Sequence, residues 1–190
     1  TKTIDVELEF SGGGWGYAVW SDHNIKFKNQ AEGTINGNMH ANCDIDYHQH
    51  SVVTVNGIET VYPPYVPGPS VDFNFYYNLA NAAGQVVWGN KNFTAAESPY
   101  TGVWYVDGNA RFKENAVFNG TLISRGQVKI FDNGVKITAT PNDFPAIIAD
   151  YDIIVNNADP VIKGMVFGCS KVNLKMNTDL DITGSLLALG

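Results

Sequence analysis

Residues 146–155 read AIIADYDIIV, and residues 18–27 read AVWSDHNIKF. The two decapeptides share an alternation of side chains, and Asp150 holds the same place in one as Asp22 in the other. Alternation with a period of two is typical of a β-strand that buries one face. Because the pattern occurs in two distant segments, the chain contains an internal repeat, and a repeat of this kind determines the fold.

The repeat recurs at a nearly constant spacing in the second half of the chain. Each copy starts at an anchor residue, usually glycine, and the anchors at 102, 120, 145, 164 and 184 are 18, 25, 19 and 20 residues apart. Similar copies follow positions 17 and 37. One coil of a parallel β-helix needs about twenty residues, and it buries its apolar face only against neighbouring coils.

The apolar positions of these copies line up as columns. Two positions after the anchor lie Val19, Met39, Trp104, Leu122, Ile147, Val166 and Leu186. Eight positions after the anchor lie Ile25, Ile45, Ala110, Val128, Ile153 and Val172. We therefore predict an all-β chain: a right-handed parallel β-helix (solenoid) of about twenty-residue coils, forming a single domain over residues 1–190.

The repeat is interrupted in the middle of the chain. Residues 51–61 fit one more coil or a hairpin, and YPPYVPGPS at 62–70 contains four prolines, which favour an extended chain. Ser70 is a suitable N-cap for a short helix over residues 71–83. We predict that residues 62–100 are an insertion, a Pro-rich loop followed by this helix, which packs on the flank of the solenoid.

The composition limits the functions that are open to the chain. Its net charge is −7 and its pI is near 4.9, which disfavours binding to a phosphate backbone, so no nucleic acid is expected as a partner. No apolar run reaches the roughly 18 residues of a membrane span. The first residue is Thr1 rather than Met, so we expect a processed or excised chain. No motif for a cofactor is present.

The chain resembles the β-helical surface proteins associated with bacterial type IV pilus assembly, the PilX-like proteins. The resemblance lies in a series of segments: AVWSDHNIKF, INGNMHANC, YYNLANAAG, GVWYVDGNARF, FNGTLISRG, FPAIIADYDI and IKGMVFG. It covers residues 15–190, but its motifs are structural glycines and alternations. It implies an extracellular, envelope-associated and non-catalytic role in adhesion to polysaccharide or surfaces, with pilus or envelope proteins as partners. Such proteins carry a membrane-inserting helix before this region, and no catalytic residue is carried over.

An apolar row lies three positions after the anchor, where a solenoid should face outward. It consists of Trp20, His40, Tyr105, Ile123, Ile148, Phe167 and Leu187. Something must cover such a row. The favoured interpretation is that residues 62–100 lie over it. The alternative is a ligand-binding aromatic face, with Trp20, Tyr105 and Phe167 presented to a glycan or a partner protein.

The segment DIDYHQH at residues 44–50 combines carboxylates and imidazoles, which suit a transition metal. Alternation along one strand spaces such groups by nearly 7 Å, too far apart to share one ion. A solvated face is therefore the favoured interpretation, and we predict no metal site. His48 and His50 remain the only candidate ligands in this segment.

A polar row lies five positions after the anchor and includes Asp107, Arg125 and Asp150. Asp and Asn suit the corners of a solenoid because they bond to nearby backbone. An Arg between two Asp residues favours an ion-pair ladder. Paired carboxylates are also the minimum for cleavage of a glycosidic bond, so a polysaccharide lyase or hydrolase is kept as an alternative.

Cys43 and Cys169 are assigned to the second and seventh coils, more than 20 Å apart if each step is about 4.8 Å. We predict that both thiols are free and that Cys43 is buried and inert. A third hypothesis, beside adhesion and catalysis, is a purely structural subunit of a surface filament. The chain ends at SLLALG, in the middle of the repeat pattern, and this coil could expose an edge for stacking.

Overall fold

The computed structural model describes residues 5–7, 16–27, 32–141, 144–174 and 180–190. About 45% of the chain is strand, and parallel sheets stack into a β-solenoid of about 8 turns that carries a short helix. This confirms the predicted fold class.

Short strands at three sides of the stack build each coil. The first side contains β1 (Asp5–Glu7), β4 (Glu32–Asn36), β7 (Val52–Val55), β15 (Lys136–Thr138), β18 (Val161–Lys163) and β21 (Asp181–Thr183). The second side contains β2 (Val19–Ser21), β5 (Met39–Ala41), β8 (Glu59–Val61), β9 (Val86–Val87), β16 (Ile147–Ala149), β19 (Val166–Gly168) and β22 (Leu186–Ala188). Two longer strands, β11 (Tyr100–Val106) and β13 (Val117–Ser124), run through both of these sides.

The third side of the stack consists of two separate sheets in the part of the chain that the structure describes. The larger sheet contains β10 (Lys91–Phe93), β12 (Ala110–Phe112), β14 (Val128–Ile130), β17 (Ile153–Val155) and β20 (Val172–Leu174). The smaller one pairs β3 (Ile25–Phe27) with β6 (Ile45–Tyr47). All described pairings in the three sheets are parallel, as a solenoid requires.

The coils are not stacked in chain order. β22 pairs with β19 on one edge and with β2 on the other, and β21 lies between β18 and β1 in the same way. The coils within residues 5–61 therefore stack on the C-terminal end of the coils within residues 85–190. Numbering the coils along the chain, as the cysteine argument did, is wrong. Because the columns repeat the same kinds of side chain, either end of one block of coils offers a similar surface to the other block.

This order corrects one prediction about edges and decides between the two alternatives of another. The C-terminal coil is paired on both edges through β21 and β22, so SLLALG does not expose a free edge. Residues 51–61 form one more coil, because β7 pairs with β4 and β8 pairs with β5. A hairpin between β7 and β8 is not formed.

The chain crosses the length of the stack once, through residues 62–84, which we name the strap. The strap leaves one end of the stack after Val61 and reaches the other end before β9. Its helix α1 spans Phe73–Ala82, and Asp72 caps it by accepting hydrogen bonds from the N–H groups of Asn74 and Phe75 at 3.0 and 3.1 Å. The predicted cap at Ser70 is therefore wrong.

The insertion is also shorter than predicted. Residues 85–100 hold β9 and β10, which belong to the stack, together with a short 3-10 helix, Ala95–Glu97. The sequence signal was ambiguous here because the strands are only two and three residues long.

The interior is a continuous apolar column, which fits the predicted stacking of inward residues. Leu122, Ile147, Val128 and Ile153 are each no more than 1% exposed. The backbones of adjacent coils also approach each other closely at the anchor column: Gly184 has φ of +147°, and a Cβ there would overlap the Gly164 carbonyl. Only glycine accepts both conditions.

The coil order is testable by a cross-link between the two halves of the chain. Ser21 and Ala188 are direct partners in the β2–β22 register, so cysteines at both positions should form a disulfide on mild oxidation. The experiment uses a background in which both native cysteines are serine and compares mobility on non-reducing gels. The matched pair Ser21→Cys/Val106→Cys should remain open, because about five coil steps of 4.8 Å separate its members. Cross-linking of the second pair and not the first would contradict the order.

Candidate functional site

The strap covers the apolar row. The seven residues of that row, Trp20, His40, Tyr105, Ile123, Ile148, Phe167 and Leu187, are at most 8% exposed. The six apolar members form one cluster with side chains of the strap, namely Val66, Val71, Phe73, Tyr76, Tyr77 and Ala80. The covering face of the helix, Phe73, Tyr76, Tyr77 and Ala80, has the spacings of three and four that an amphipathic helix requires.

The buried row does not form the predicted aromatic face for binding a glycan or a partner protein. Trp20, Tyr105 and Phe167 are 1%, 8% and 1% exposed. Tyr105 instead packs edge to face against Tyr77 of the helix, with ring centroids 5.2 Å apart. The interpretation of these three residues as a ligand-binding face is corrected accordingly, since the strap buries the rings that a glycan would have to contact.

A polar network fixes the start of the strap to the stack. The buried His40 ring lies 2.7 Å from Thr60 Oγ1 through Nδ1 and 2.7 Å from Asn42 Oδ1 through Nε2. The Asn42 amide then bonds the backbone of Val66 in both directions, donating to its carbonyl at 2.7 Å and accepting from its N–H at 2.8 Å. Since buried polar groups need partners, this network specifies where the strap begins.

Arg125, in the polar row that also contains Asp107 and Asp150, contacts the helix of the strap. Its guanidinium lies 3.0 Å from the Asp150 carboxylate and 4.5 Å from the centre of the Phe73 ring. Asp107 makes no ion pair with a described residue, so the predicted ladder is half formed. The Asp150 carboxylate is held in an ion pair, and this corner offers no free pair of carboxylates for the chemistry of a glycosidase.

The two cysteines are free, as predicted, but their environments differ from the prediction. Cys43 is exposed, because β5 ends at Ala41 and the chain turns at 42–43, with Asn42 directed inward at 6% exposure. The prediction that Cys43 is buried is wrong. Cys169 packs against the covered row, and burial, with a smaller contribution from Asp150, raises its thiol pKa to about 11.

Alkylation should distinguish the two thiols. The thiolate is the reactive form, and Cys169 is almost wholly protonated at neutral pH because its pKa is about 11. We expect iodoacetamide to label Cys43 first, and labelling of Cys169 to accelerate with pH up to that value. Mass spectrometry of peptides over a pH series measures both rates. Equal rates for the two residues at neutral pH would contradict the burial of Cys169.

The two tryptophans Trp20 and Trp88 provide a matched test of the covered row. Trp20 is 1% exposed and Trp88 is 72% exposed. Trp20→Ala should reduce the free energy of unfolding by about 3–5 kcal/mol, the usual cost of emptying a buried aromatic site. Trp88→Ala should change it by less than about 1 kcal/mol. Urea denaturation followed by circular dichroism checks both values, and similar losses in the two variants would show that Trp20 is not core.

The segment at 44–50 lies on the surface near one end of the stack. β6 ends at Tyr47, so the alternation does not continue to His50. The rings of His48 and His50 lie with centroids 5.8 Å apart. Within the described ranges no group of three or more His, Cys, Asp or Glu side chains is placed to hold a metal ion. We therefore propose no metal site in residues 44–50.

A small cavity of about 270 Å³ lies between the strap and the row. Its lining is mostly apolar and includes Pro69, Phe75, Met165 and Phe167, together with the hydroxyl-bearing Ser70 and Tyr76. Asp72 also borders it, but that carboxylate is engaged in capping α1. The cavity therefore offers mainly apolar contact.

At one end of the stack an ion pair covers the last apolar layer, although β9 and β10 each pair on one edge only among the described strands. Phe93 of β10 is fully buried, and Lys91 lies across the aromatic cluster, with Nζ 5.6 Å from the Tyr100 centroid and 5.8 Å from that of Trp104. Glu97 accepts hydrogen bonds from Lys91 Nζ at 2.8 Å and from the Tyr100 hydroxyl at 2.9 Å. These bonds lower the pKa of Glu97. The Lys91–Glu97 ion pair thus covers the aromatic layer at this end.

The opposite end is open. β7 and β8 each pair on one edge only among the described strands. The Asn56 N–H donates to the Ile35 carbonyl, and the Ile58 carbonyl accepts from the Met39 N–H. Alternation then directs the backbone N–H and C=O groups of Val53, Val55, Glu59 and Val61 away from the stack.

Apolar side chains accompany these unpaired edges. Val52 is 67% exposed, Ile58 is 66% exposed and Val61 is 41% exposed. The inward residues Val53 and Val55 are only partly buried against the last layer of the core. We name β7, β8 and Ile58 the open end. The sequence predicted a coil at residues 51–61 but did not predict that the coil is exposed. Only the stacking order shows that no described strand stacks on its outer edge.

Comparison of the chain with protein-family models, with curated proteins and with solved structures found no match. Among the described residues, no helix has the length and apolar character that a membrane crossing demands.

Proposed function

We propose that this chain is a non-catalytic assembly module, a β-solenoid that associates with a second copy of itself through the open end. The observation that carries the proposal is the asymmetry of the stack. One end has the Lys91–Glu97 ion pair above a buried aromatic layer, whereas the other places exposed valine and isoleucine side chains beside its unpaired strand edges. Unpaired edges are templates for pairing with another chain.

A two-fold axis at the open end supports pairing of like with like. It would set β7 antiparallel to β7 of the second copy, so that each edge supplies the donors and acceptors that the other lacks. The outward backbone groups of Val53 and Val55 are the candidates for these bonds. Because an ion pair covers the last layer at the far end, we expect association of this kind to end at a dimer rather than to continue into a filament.

The setting of this module is part of the proposal. The resemblance to pilus-associated surface proteins favours an extracellular, envelope-associated location, where a rigid stack would serve as a spacer or assembly element. The adhesion hypothesis loses its proposed face because Trp20, Tyr105 and Phe167 are buried. The lyase or hydrolase hypothesis has no contact in its favour, since Asp150 is paired with Arg125.

The proposal predicts that charges at the open end abolish self-association. Val52→Lys/Ile58→Lys adds two cations to the edge coil, and lysine at a strand edge opposes pairing between chains. We expect the unchanged protein to form a concentration-dependent dimer in sedimentation velocity and the double variant to remain monomeric. Both substitutions lie at positions more than 60% exposed, so the fold should persist.

Tyr151→Lys is the matched control for this experiment. Tyr151 is 60% exposed on a coil in the middle of the stack, so its replacement removes a comparable apolar group away from both ends. The control should dimerise as the unchanged protein does. A monomer for the unchanged protein at all concentrations, or a dimer that survives the double substitution, would overturn the proposal.

A further inference from the structure

The cavity between the strap and the apolar row lies where the cover of that row changes. At Tyr105 the helix α1 lies over the row, and the Tyr77 ring packs edge to face on Tyr105. At Ile148 and Phe167 the extended residues 69–72 and the first turn of α1 lie over it, and about 270 Å³ is left unfilled. An apolar cavity of roughly 150 Å³ holds benzene, so this space suits a compact body of roughly ten non-hydrogen atoms.

The floor and one wall of the cavity are apolar and held in place by packing. The floor consists of buried or half-buried side chains of the solenoid: Ile148, Met165 and Phe167. In the wall, the Phe144 ring packs edge-on against the rings of Phe75 and Tyr76, with centroids 6.0 and 5.8 Å apart. An apolar or aromatic body would therefore be surrounded by ring edges and methyl groups, as in ordinary ligand pockets.

A carboxylate lies at the mouth of the cavity. Asp72 and Phe75 both line it, and both are exposed. The helix cap uses only one oxygen of Asp72, since Oδ1 accepts both N–H groups, at 3.0 and 3.1 Å. No described residue donates a hydrogen bond to Oδ2. No described Lys, Arg or His lines the cavity, so the negative charge beside the ring has no positive partner there.

Elsewhere in the molecule, a carboxylate beside an aromatic ring is joined by a cation. The Arg125 guanidinium forms an ion pair and lies 4.5 Å from the centre of the Phe73 ring. Lys91 Nζ lies 2.8 Å from Glu97 and 5.6 Å from the Tyr100 centroid. At the cavity the carboxylate and the ring are present, but the described chain supplies no cation. Charge complementarity therefore favours a positively charged ligand.

We propose that this cavity binds a small organic ammonium ion with an apolar or aromatic body. The ammonium group donates to Asp72 Oδ2 beside the Phe75 ring, and the body rests on Ile148 and Phe167. Attraction of the cation to the carboxylate and to the ring adds to the burial of the body. Anionic ligands are disfavoured because Asp72 would repel them. This inference goes beyond the proposed function, since it concerns another surface and another kind of ligand.

The probe for this site is phenethylammonium, with phenethyl alcohol and phenylacetate as matched neutral and anionic probes. Each is titrated into the full chain, and NMR follows the methyl groups of Ile148 and Met165, which line the cavity. We expect saturable shifts with phenethylammonium at a dissociation constant on the order of 1 mM, as suits so small a ligand. Phenethyl alcohol should bind about tenfold more weakly, and phenylacetate should cause no shift.

Asp72→Asn tests the charge and keeps the helix cap, because asparagine caps helices as well as aspartate does. It should weaken binding of phenethylammonium by about tenfold and leave binding of phenethyl alcohol unchanged. Asp46→Asn removes the same charge at an exposed position of β6 and should change neither affinity. Equal losses for both probes in Asp72→Asn would assign the effect to the helix and overturn the ammonium site.

Ser70→Trp tests the cavity itself. Ser70 is an exposed lining residue, so the larger side chain should occupy the space while circular dichroism shows an unchanged fold. The ligand-induced shifts should then be lost for both probes. Val52→Lys/Ile58→Lys, in which the open end is blocked, should bind phenethylammonium as the unchanged protein does.

Four results would overturn the proposal. They are ligand-induced shifts that persist in Ser70→Trp, equal affinity of the unchanged protein for the ammonium and the alcohol, no shift with any probe, and loss of binding in Val52→Lys/Ile58→Lys. The last result would place the ligand at the dimer interface. Binding that persists in that variant makes the outcome independent of whether the proposed dimer forms.

Discussion

Parallel hydrogen bonds between successive coils hold this protein together, and every other feature adapts to their spacing. Each residue of a coil lies beside its counterpart about 4.8 Å away, so a side chain that fits at one level must fit at the next. The interior columns and the glycine anchors follow from this single constraint. At Gly184 the Gly164 carbonyl lies so close that even a methyl group is excluded.

The strap shields apolar side chains that the stacked strands alone would leave exposed to water. These side chains form a row that faces outward along the length of the solenoid. The helix covers this row with Phe73, Tyr76 and Tyr77. Arg125 attaches the helix to the stack, and the His40 network attaches the start of the strap. The surface that would have suited an external ligand is thereby turned into a second core, and the surfaces left for a partner include the ends of the stack.

Sequence reasoning succeeded where structure is local and failed where it depends on assembly. The columns beginning at Val19 and Ile25 could be predicted because alternation and period are visible in a single copy of the repeat. The junction of β22 with β2 could not, because equivalent columns fit at either end of a block. The exposure of Cys43 was missed for a smaller reason: the corner at Asn42 shifts the alternation by one residue. The open end is a property of the stacking order alone.

The junction between β22 and β2 also bears on how the chain is synthesised. The coils made first can pair with one another, but their link to the larger block waits until residues 181–188 have left the ribosome. Contacts between segments so distant in sequence form slowly, since a long loop must close before they contribute. Residues 181–188 therefore complete the structure of a block of coils made well before them, and a ribosome that stalls short of residue 181 leaves two unjoined blocks with exposed edges.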